Sequence, residues 1–302
     1  MEHIKQYLGL RCYDSCLSYI IEQEGHSAEK FWGHMFRLPY ENGKLLGEKL
    51  IFDTEIKLLL QKYAGLISQI DFEYQPEKWK FQKGNYTILR IDTYYYHVHR
   101  LYNEEHTDHF CLYAGADKDK INVVDPMMSE KIESIPVKEL QIGFINAEYL
   151  SFRDVEPFSL DMQIRDLAIY YGLKNETEHI EPIMEWIKNR FNLQKEFQGL
   201  REKKYDIPLY RALWAIMFSR SCYHDMISDI SIDIVEKEMV QENLKELFVD
   251  WRDLRGALVK AYYQNKKWID ERLYWLVSEI LIKEKETMQL NINMLRTMDC
   301  LI

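Results

Sequence analysis

The sequence predicts an α+β fold, in which a mixed N-terminal half with helices and an antiparallel sheet is followed by an all-α helical bundle. Short runs rich in β-branched and aromatic residues, bounded by Gly, Asp or Pro, occur in the first half, and such runs are typical of strands. Six of the seven prolines lie in residues 1–182. The 94 residues after Pro208 contain one glycine, so little there interrupts a helix.

The first predicted element is an amphipathic helix near the N-terminus. It spans residues 16–24, and Gly25 provides the residue type that commonly ends a helix. Its apolar face carries Cys16, Leu17, Ile20 and Ile21. Residues 54–64 (TEIKLLLQKYA) predict a second helix.

Three strands are predicted next, and the last two form a hairpin. They are YTILRID (86–92), HFCLYAG (109–115) and KINVVDP (120–126). The polar segment ADKDK (116–120) is typical of a turn. A turn centred near residues 117–118 would bring His109 and Asp125 nearly opposite each other, where side chains of paired strands approach within roughly 5 Å.

The boundary between the halves is placed near residues 151–160, which gives domains 1–152 and 153–302. In the second half, apolar side chains recur at three- and four-residue spacing, which indicates helices packed around a core. These residues include Leu244, Leu247, Phe248, Trp251, Leu254, Leu258, Tyr262, Trp268, Leu273, Leu276 and Ile280. We interpret the aromatic members as core residues and not as a cofactor site.

Composition and charge argue against several classes of protein. The net charge is -10 and both halves are acidic, so a nucleic-acid partner is not expected. There is no long apolar run and the N-terminal segment lacks signal-peptide features, so we expect a cytoplasmic protein without a membrane partner. The five cysteines show no CxxC spacing, so neither a disulfide framework nor a structural metal site is predicted.

Cys12 is the candidate nucleophile, because it lies just ahead of the first predicted helix. The first turn of a helix favours a thiolate through the helix dipole and its free N–H groups. His109 is the candidate base and Asp125 the carboxylate that orients it, which completes a Cys–His–Asp triad. The alternatives are that Cys12 is a small buried hydrophobe and that Asp125-Pro126 only ends a strand.

The pattern around Cys12 resembles that of papain-like cysteine enzymes. Gln6 stands six residues before Cys12, as a Gln does in that superfamily, and its amide would donate to an oxyanion together with the backbone N–H of Cys12. Bacteriocin-processing peptidases have a Q-x5-C-x3-C-L pattern and a later H-F…D-P pattern. The chain matches these at Gln6, Cys12, Cys16, Leu17, His109, Phe110, Asp125 and Pro126. Where those peptidases have Asp-Cys-Gly, this chain has Arg11-Cys12-Tyr13, which weakens the likeness to a peptidase.

Residues 88–126 look more like the N-terminal domain of the butirosin biosynthesis protein H family. That family has an Asp-x-Tyr-Tyr segment, a His-bearing loop, and a His-headed strand followed by a strand that ends in Asp-Pro. Its Cys precedes a Gly by the separation that Cys12 and Gly25 have. The resemblance covers roughly residues 5–150. It implies a papain-like acyltransferase that passes an acyl or aminoacyl group from an acyl or peptidyl carrier protein to a small-molecule amine in natural-product biosynthesis, with phosphopantetheine on the carrier and neither a cofactor nor a metal of its own.

The segment before His109 is rich in tyrosine and histidine. The residues expected to line the acyl pocket are Asp92, Tyr94, Tyr95, Tyr96 and His97. In an extended chain Asp92, Tyr94 and Tyr96 would share one face. One alternative is that the tyrosines pack at the domain boundary. Another is a metal site at His97, His99, His106 and Asp108.

A basic segment is the candidate docking surface for the carrier. Carrier proteins are acidic, so an acidic enzyme needs local positive charge to bind one. The basic residues within residues 187–205 are Lys188, Arg190, Lys195, Arg201, Lys203 and Lys204. The alternative is a solvated helix face.

Three functions follow from this sequence as hypotheses. The first is the cysteine acyltransferase, including relatives that release or cyclise a thioester-bound chain. The second is a papain-like cysteine peptidase with the same triad, and the third is a non-catalytic binding module on the same fold. The combination of Gln6, Cys12, His109 and Asp125 favours an enzyme.

Overall fold

The chain is described here from a computed structural model. The described residues are 4–5, 10–26, 28, 36, 38, 40–41, 43–45, 61, 65–153, 179–202, 207–228, 230 and 234–301. The chain divides into two compact units. The first comprises Met1–Ala28 and Thr54–Phe158, and the second comprises Glu29–Asp53 and Ser159–Ile302.

The described residues form nine strands and seven α-helices. The strands are β1 (Tyr40–Glu41), β2 (Lys44–Leu45), β3 (Leu66–Asp71), β4 (Phe81–Gln82), β5 (Asn85–Asp92), β6 (Asp108–Asp117), β7 (Lys120–Val124), β8 (Glu133–Pro136) and β9 (Phe144–Phe152). The helices are α1 (Cys12–Gln23), α2 (Val137–Gly143), α3 (Ile180–Asn189), α4 (Leu193–Glu196), α5 (Pro208–Ser228), α6 (Val235–Tyr263) and α7 (Glu271–Leu301).

A seven-stranded antiparallel sheet forms the centre of the first unit. Its order is β3-β9-β5-β6-β7-β8, and β4 also pairs with β5. The predicted mixed α+β architecture with an antiparallel sheet is therefore confirmed. The three predicted strands correspond to β5, β6 and β7 within two residues at each end. The predicted second helix over residues 54–64 lies outside the described residues except at Gln61, which is helical.

Helix α1 packs against β6. The ring of Tyr13 meets the ring of Phe110 edge-on, with centroids 5.2 Å apart. The predicted apolar face is confirmed, because Cys16, Leu17 and Ile20 are fully buried. Just past the end of the helix, Gly25 has a φ of +88°, the left-handed conformation in which glycine is favoured.

The β6–β7 hairpin contains a β-bulge. Next to the turn, Asp117 pairs with Lys120 and Gly115 with Asn122, but beyond the bulge Tyr113 pairs with Val123 and Leu112 with Val124. Ala114 is the extra residue. Gly115 has a φ of +131°, and no other atom lies near the position of an added Cβ. Conformation and not space therefore favours glycine at this position.

Because of the bulge, the register of the hairpin differs from the predicted one. Asp125 directly follows Val124, so continuing the observed pairing places it opposite Cys111 and not opposite His109. Because His109 lies two residues from Cys111, the two side chains still share one face of the sheet, in a diagonal relation. Without the bulge, the pairing at the turn would have placed Asp125 opposite Leu112, on the other face.

The second unit is built from helices α3 to α7 and the short β1–β2 hairpin. Helix α6 packs against both α5 and α7. Phe36, Leu38 and Leu45 lie in the same apolar core as these helices. The predicted division into residues 1–152 and 153–302 placed these three residues in the first domain, whereas they belong to the second unit. Three separated apolar residues that pack into a core distant in sequence leave no local pattern.

A buried polar cluster joins three helices of the second unit. The Nε atom of Arg220 on α5 donates to Glu284 Oε1 on α7 at 2.8 Å, and the indole N–H of Trp251 on α6 donates to the same oxygen at 2.6 Å. All three side chains are at most 1% exposed. None of the helices in the described part of the chain is long and apolar enough to cross a membrane.

Candidate active site

Cys12 is the first residue of α1 and is half-buried. Arg11 before it is extended, with ψ of 162°, so the helix begins at Cys12. Cys12 lies close enough to His109 for its charge and a hydrogen bond to raise the pKa of that imidazole. The structure thus places the predicted nucleophile beside the predicted base, at a helix N-terminus whose free N–H groups favour negative charge.

His109 is bound to Asp125, as the sequence predicted. Its Nε2 atom lies 2.6 Å from Asp125 Oδ2, and both side chains are almost fully buried, at 2% and 0% exposure. Because Nε2 is engaged by the carboxylate, Nδ1 is the ring nitrogen left for Cys12. The predicted contact between His109 and Asp125 is confirmed, and Cys12 acts on the same imidazole through its charge and a hydrogen bond.

Asp125 is held by donors on both of its oxygens. The Tyr96 hydroxyl donates to Oδ2 at 3.0 Å, and the backbone N–H groups of Met127 and Met128 donate to Oδ1 at 3.2 and 3.1 Å. Burial alone would raise the pKa of Asp125. The charge of His109 and the hydrogen bonds from His109, Tyr96 and Met128 outweigh burial and lower the pKa below its ordinary value. The carboxylate is therefore kept ionised inside the protein.

Burial and the neighbouring groups shift the pKa of His109 in opposite directions. Burial alone would lower the pKa of His109, because a charged imidazolium is poorly solvated there. The negative charges of Asp125 and Cys12 and their hydrogen bonds to the ring raise the pKa well above its ordinary value. The site therefore favours an imidazolium next to Cys12 at neutral pH.

Two further rings contact His109, and sequence reasoning assigned neither of them to the triad. Tyr96 stacks on His109 with centroids 5.4 Å apart and an angle of 25°. His99 lies tilted against it at 4.8 Å. The His99 Nδ1 atom accepts from the N–H of Leu101 at 3.2 Å, so Nε2 carries the ring proton. Burial, followed by the charge of His109, lowers the pKa of His99 to about 4, so this ring stays neutral.

The predicted pocket residues do not share one face. Residues Thr93–Tyr95 form a 3-10 turn, so strand alternation does not apply there. Tyr96 is 1% exposed and contacts Asp125 and His109, and its predicted role as a pocket residue does not fit this position. Tyr94 and Tyr95 pack edge-on at 5.1 Å.

The remaining two predicted pocket residues have other partners. Asp92 accepts from the N–H of Tyr94 and lies 2.8 Å from Nδ1 of His106. The His97 side chain is exposed and its Nδ1 is 3.1 Å from Glu139. Asp92, Tyr94, Tyr95 and His97 stay candidate contacts for a substrate.

The alternative metal site at the histidines is not supported. His97, His99 and His106 each contact a different group, namely Glu139, His109 and Asp92. Within the described ranges, no group of three or more His, Cys, Asp or Glu side chains is arranged to hold a metal ion.

Three other predicted residues, Gln6, Lys203 and Lys204, lie outside the described residues. The proposed oxyanion donor Gln6 therefore stays a prediction. The described members of the basic segment all belong to the second unit and are exposed at its surface. They are Lys188, Arg190, Lys195 and Arg201.

The arrangement has the parts that covalent catalysis by cysteine requires. A cysteine at a helix N-terminus lies near a histidine, and that histidine is bound to a buried carboxylate. This geometry suits acyl transfer from a thioester, an ester or an amide. No protein-family model and no curated protein matches this chain.

Cys12 should be alkylated much faster than Cys16 when the native protein is treated with iodoacetamide. Cys16 is fully buried with its thiol 3.6 Å from the carbonyl oxygen of Phe110, and burial raises the pKa of Cys16 well above its ordinary value. Peptide mapping after brief labelling measures both sites. Cys12→Ser should remove the fast label and Cys222→Ser should retain it. Fast modification of Cys16 with Cys12 untouched would overturn the choice of nucleophile.

Proposed function

We propose that the chain is a cysteine-dependent acyltransferase that forms an acyl-Cys12 intermediate. The acyl or aminoacyl group would come from the thioester of an acyl or peptidyl carrier protein and pass to a small-molecule amine, or be released or cyclised, in natural-product biosynthesis. The observation that carries the proposal is the buried His109 bound to Asp125 at 2.6 Å, with Cys12 at the start of α1 near enough to raise the pKa of His109.

The first half-reaction transfers the acyl group to the enzyme. The Cys12 sulfur attacks the thioester carbonyl, the carbon–sulfur bond to the carrier breaks, and His109 gives its proton to the departing phosphopantetheine thiolate. Thioester exchange is nearly isoenergetic, so the protein needs to stabilise only the transition state. The backbone N–H of Cys12 and the Gln6 amide would donate to the oxyanion.

The second half-reaction releases the acyl group. The amine attacks the carbonyl of acyl-Cys12, its proton passes to His109, and the Cys12 thiolate leaves. Asp125 fixes the orientation of the His109 ring and stabilises its positive charge in both steps. The substrate is thus presented on the carrier, and the chain itself needs no cofactor for these steps.

We infer a papain-like first unit and a helical bundle in the second, in a cytoplasmic protein. The exposed Lys188, Arg190, Lys195 and Arg201 would attract an acidic carrier. The mixed fold, with a helix bearing Cys12 against a strand bearing His109, supports this assignment.

The test is the intact-protein mass after mixing with acyl-carrier thioesters. We expect an increase by the mass of one acyl group on Cys12, absent in Cys12→Ser, and its loss when a small-molecule amine is added. Water should remove the acyl group only slowly. A matched control is Cys222→Ser, which should acylate normally.

The peptidase hypothesis shares the acyl-enzyme and differs in what resolves it. No adduct with any carrier, combined with cleavage of a peptide that requires Cys12, would replace the proposal by the peptidase hypothesis. The absence of both activities, in a protein whose Cys12 is alkylated normally, would favour the non-catalytic binding module.

A further inference from the structure

Tyr96 is a buried residue that contacts two members of the candidate triad at once. It follows the 3-10 turn Thr93–Tyr95, and its N–H donates to the carbonyl oxygen of Thr93 at 3.1 Å. The next turn brings His99 back, with its N–H donating to the Tyr96 carbonyl oxygen at 2.9 Å. These bonds fix the backbone on both sides of Tyr96.

The Tyr96 hydroxyl and His109 share one oxygen of Asp125. The hydroxyl donates to Oδ2 at 3.0 Å and His109 Nε2 lies 2.6 Å from the same atom, while the backbone amides bind Oδ1. A carboxylate oxygen that accepts a second hydrogen bond holds less charge for the first. Tyr96 therefore weakens the hold of Asp125 on the His109 proton while the ring of Tyr96 covers the imidazole.

We propose that Tyr96 is a positioning residue that limits the basicity of His109 by donating to Asp125 Oδ2 and fixes the plane of the imidazole by stacking on it. The inference rests on the proposed function in one respect, that His109 must release and regain a proton in each turnover. A His109 paired with an unshared carboxylate would keep its proton too firmly to act as a base for the amine.

The titratable and charged groups around Tyr96 and His109 belong to four parts of the chain. They are Cys12 and Cys16 of α1, Tyr96, His99 and Arg100 of the β5–β6 loop, Cys111 of β6, and Asp125 after β7. Burial, together with Cys111 and Asp125, raises the pKa of Tyr96 well above its ordinary value. Tyr96 therefore remains a protonated donor throughout the range in which His109 works.

The test is nuclear magnetic resonance of the free protein with Tyr96→Phe, which keeps the ring and removes the donor. The proton between His109 Nε2 and Asp125 should move downfield. The midpoint of the His109 titration should rise by about half a unit to one unit, the equivalent of one hydrogen bond. Amine transfer from acyl-Cys12 should slow, while alkylation of Cys12 at neutral pH should be retained.

Tyr74→Phe is the matched control, because the Tyr74 hydroxyl has no hydrogen-bond partner among the described residues. It should leave the His109 signals unchanged. 3-Fluorotyrosine at position 96 keeps the shape and strengthens the donor, so it should move the His109 midpoint in the opposite direction. Equal His109 signals in Tyr96→Phe and Tyr74→Phe, or a shift in the same direction with 3-fluorotyrosine, would overturn the proposal.

These measurements need no acyl substrate. Shifted His109 signals with no acylation by any carrier would support the role of Tyr96 and reject the proposed function. Normal acylation with unshifted His109 signals would support the proposed function and reject the role of Tyr96.

Discussion

Replacing His109 by Ala should slow acylation of Cys12 by about 10²–10⁴, the usual cost of removing a residue that acts as a general acid or base. His109 contacts Cys12 and holds the proton that the leaving thiolate must receive. The fold should persist, because Asp125 keeps its hydrogen bonds from Tyr96 and from the N–H groups of Met127 and Met128. The measurement is the rate at which the acyl adduct forms, followed by mass, with both a carrier thioester and a small synthetic thioester.

His26→Ala is the matched control for this experiment. His26 lies exposed in the same unit, just past the C-terminal end of α1, so its loss should leave the rate within twofold of the parent. The two thioesters should report the same loss in His109→Ala, because His109 acts on the leaving thiolate at the reaction centre and not at the docking surface. Unchanged acylation in a folded His109→Ala protein would remove His109 from the mechanism.

Replacing Glu284 by Ala should lower the free energy of unfolding of the second unit by about 3–5 kcal/mol. The substitution removes the carboxylate that binds Arg220 at 2.8 Å, where both side chains have 0% exposure, and breaking a buried ion pair by removing one partner costs about that much. The indole N–H of Trp251 also loses its acceptor. Urea unfolding followed by tryptophan fluorescence suits this measurement. Six of the seven tryptophans belong to the second unit and only Trp79 belongs to the first, so the signal reports mainly on the second unit.

An exposed ion pair on the same helices provides the comparison. Glu246 binds Lys283 and is 55% exposed. Replacing it by Ala should lower the free energy of unfolding by less than about 1 kcal/mol. The double variant Arg220→Met with Glu284→Leu should recover much of the loss, because both charges of the buried ion pair are then replaced by apolar groups. If Glu284→Ala were no more destabilising than Glu246→Ala, the buried cluster would contribute little to stability.

The predictable part of the fold was the part governed by local pattern. Strands β5, β6 and β7 are runs of β-branched and aromatic residues with clear turn residues at their ends, and α1 has a regular apolar face. The sequence pattern did not reveal β9, which contains Glu148 and Asn146 at buried positions. Glu148 is accommodated there because the hydroxyls of Tyr13 and Ser68 donate to it. Those partners are distant in sequence, so no local rule could provide them.

The residues of the candidate site also separate into those that local sequence patterns predict and those that they do not. Cys12, His109 and Asp125 could be predicted because a helix start and a hairpin bring them together from their order in the chain. Tyr96 and His99 could not, because a 3-10 turn replaced the extended chain assumed for residues 92–97. The signal available was weak: Asp92 can cap such a turn with its carboxylate, and it does so by accepting from the N–H of Tyr94.

The bulge at Ala114 bears on how relatives of this chain would be recognised. His109 and Asp125 are 16 positions apart, an even interval. In a hairpin with a two-residue turn and no bulge, two side chains in this diagonal relation are separated by an odd interval. Evolution could therefore exchange the bulge for a sequence one residue shorter without moving either side chain. A motif that fixes the interval between the histidine and the aspartate would miss such a relative, whereas one that lets the interval shorten by one when Gly115 is absent would find it.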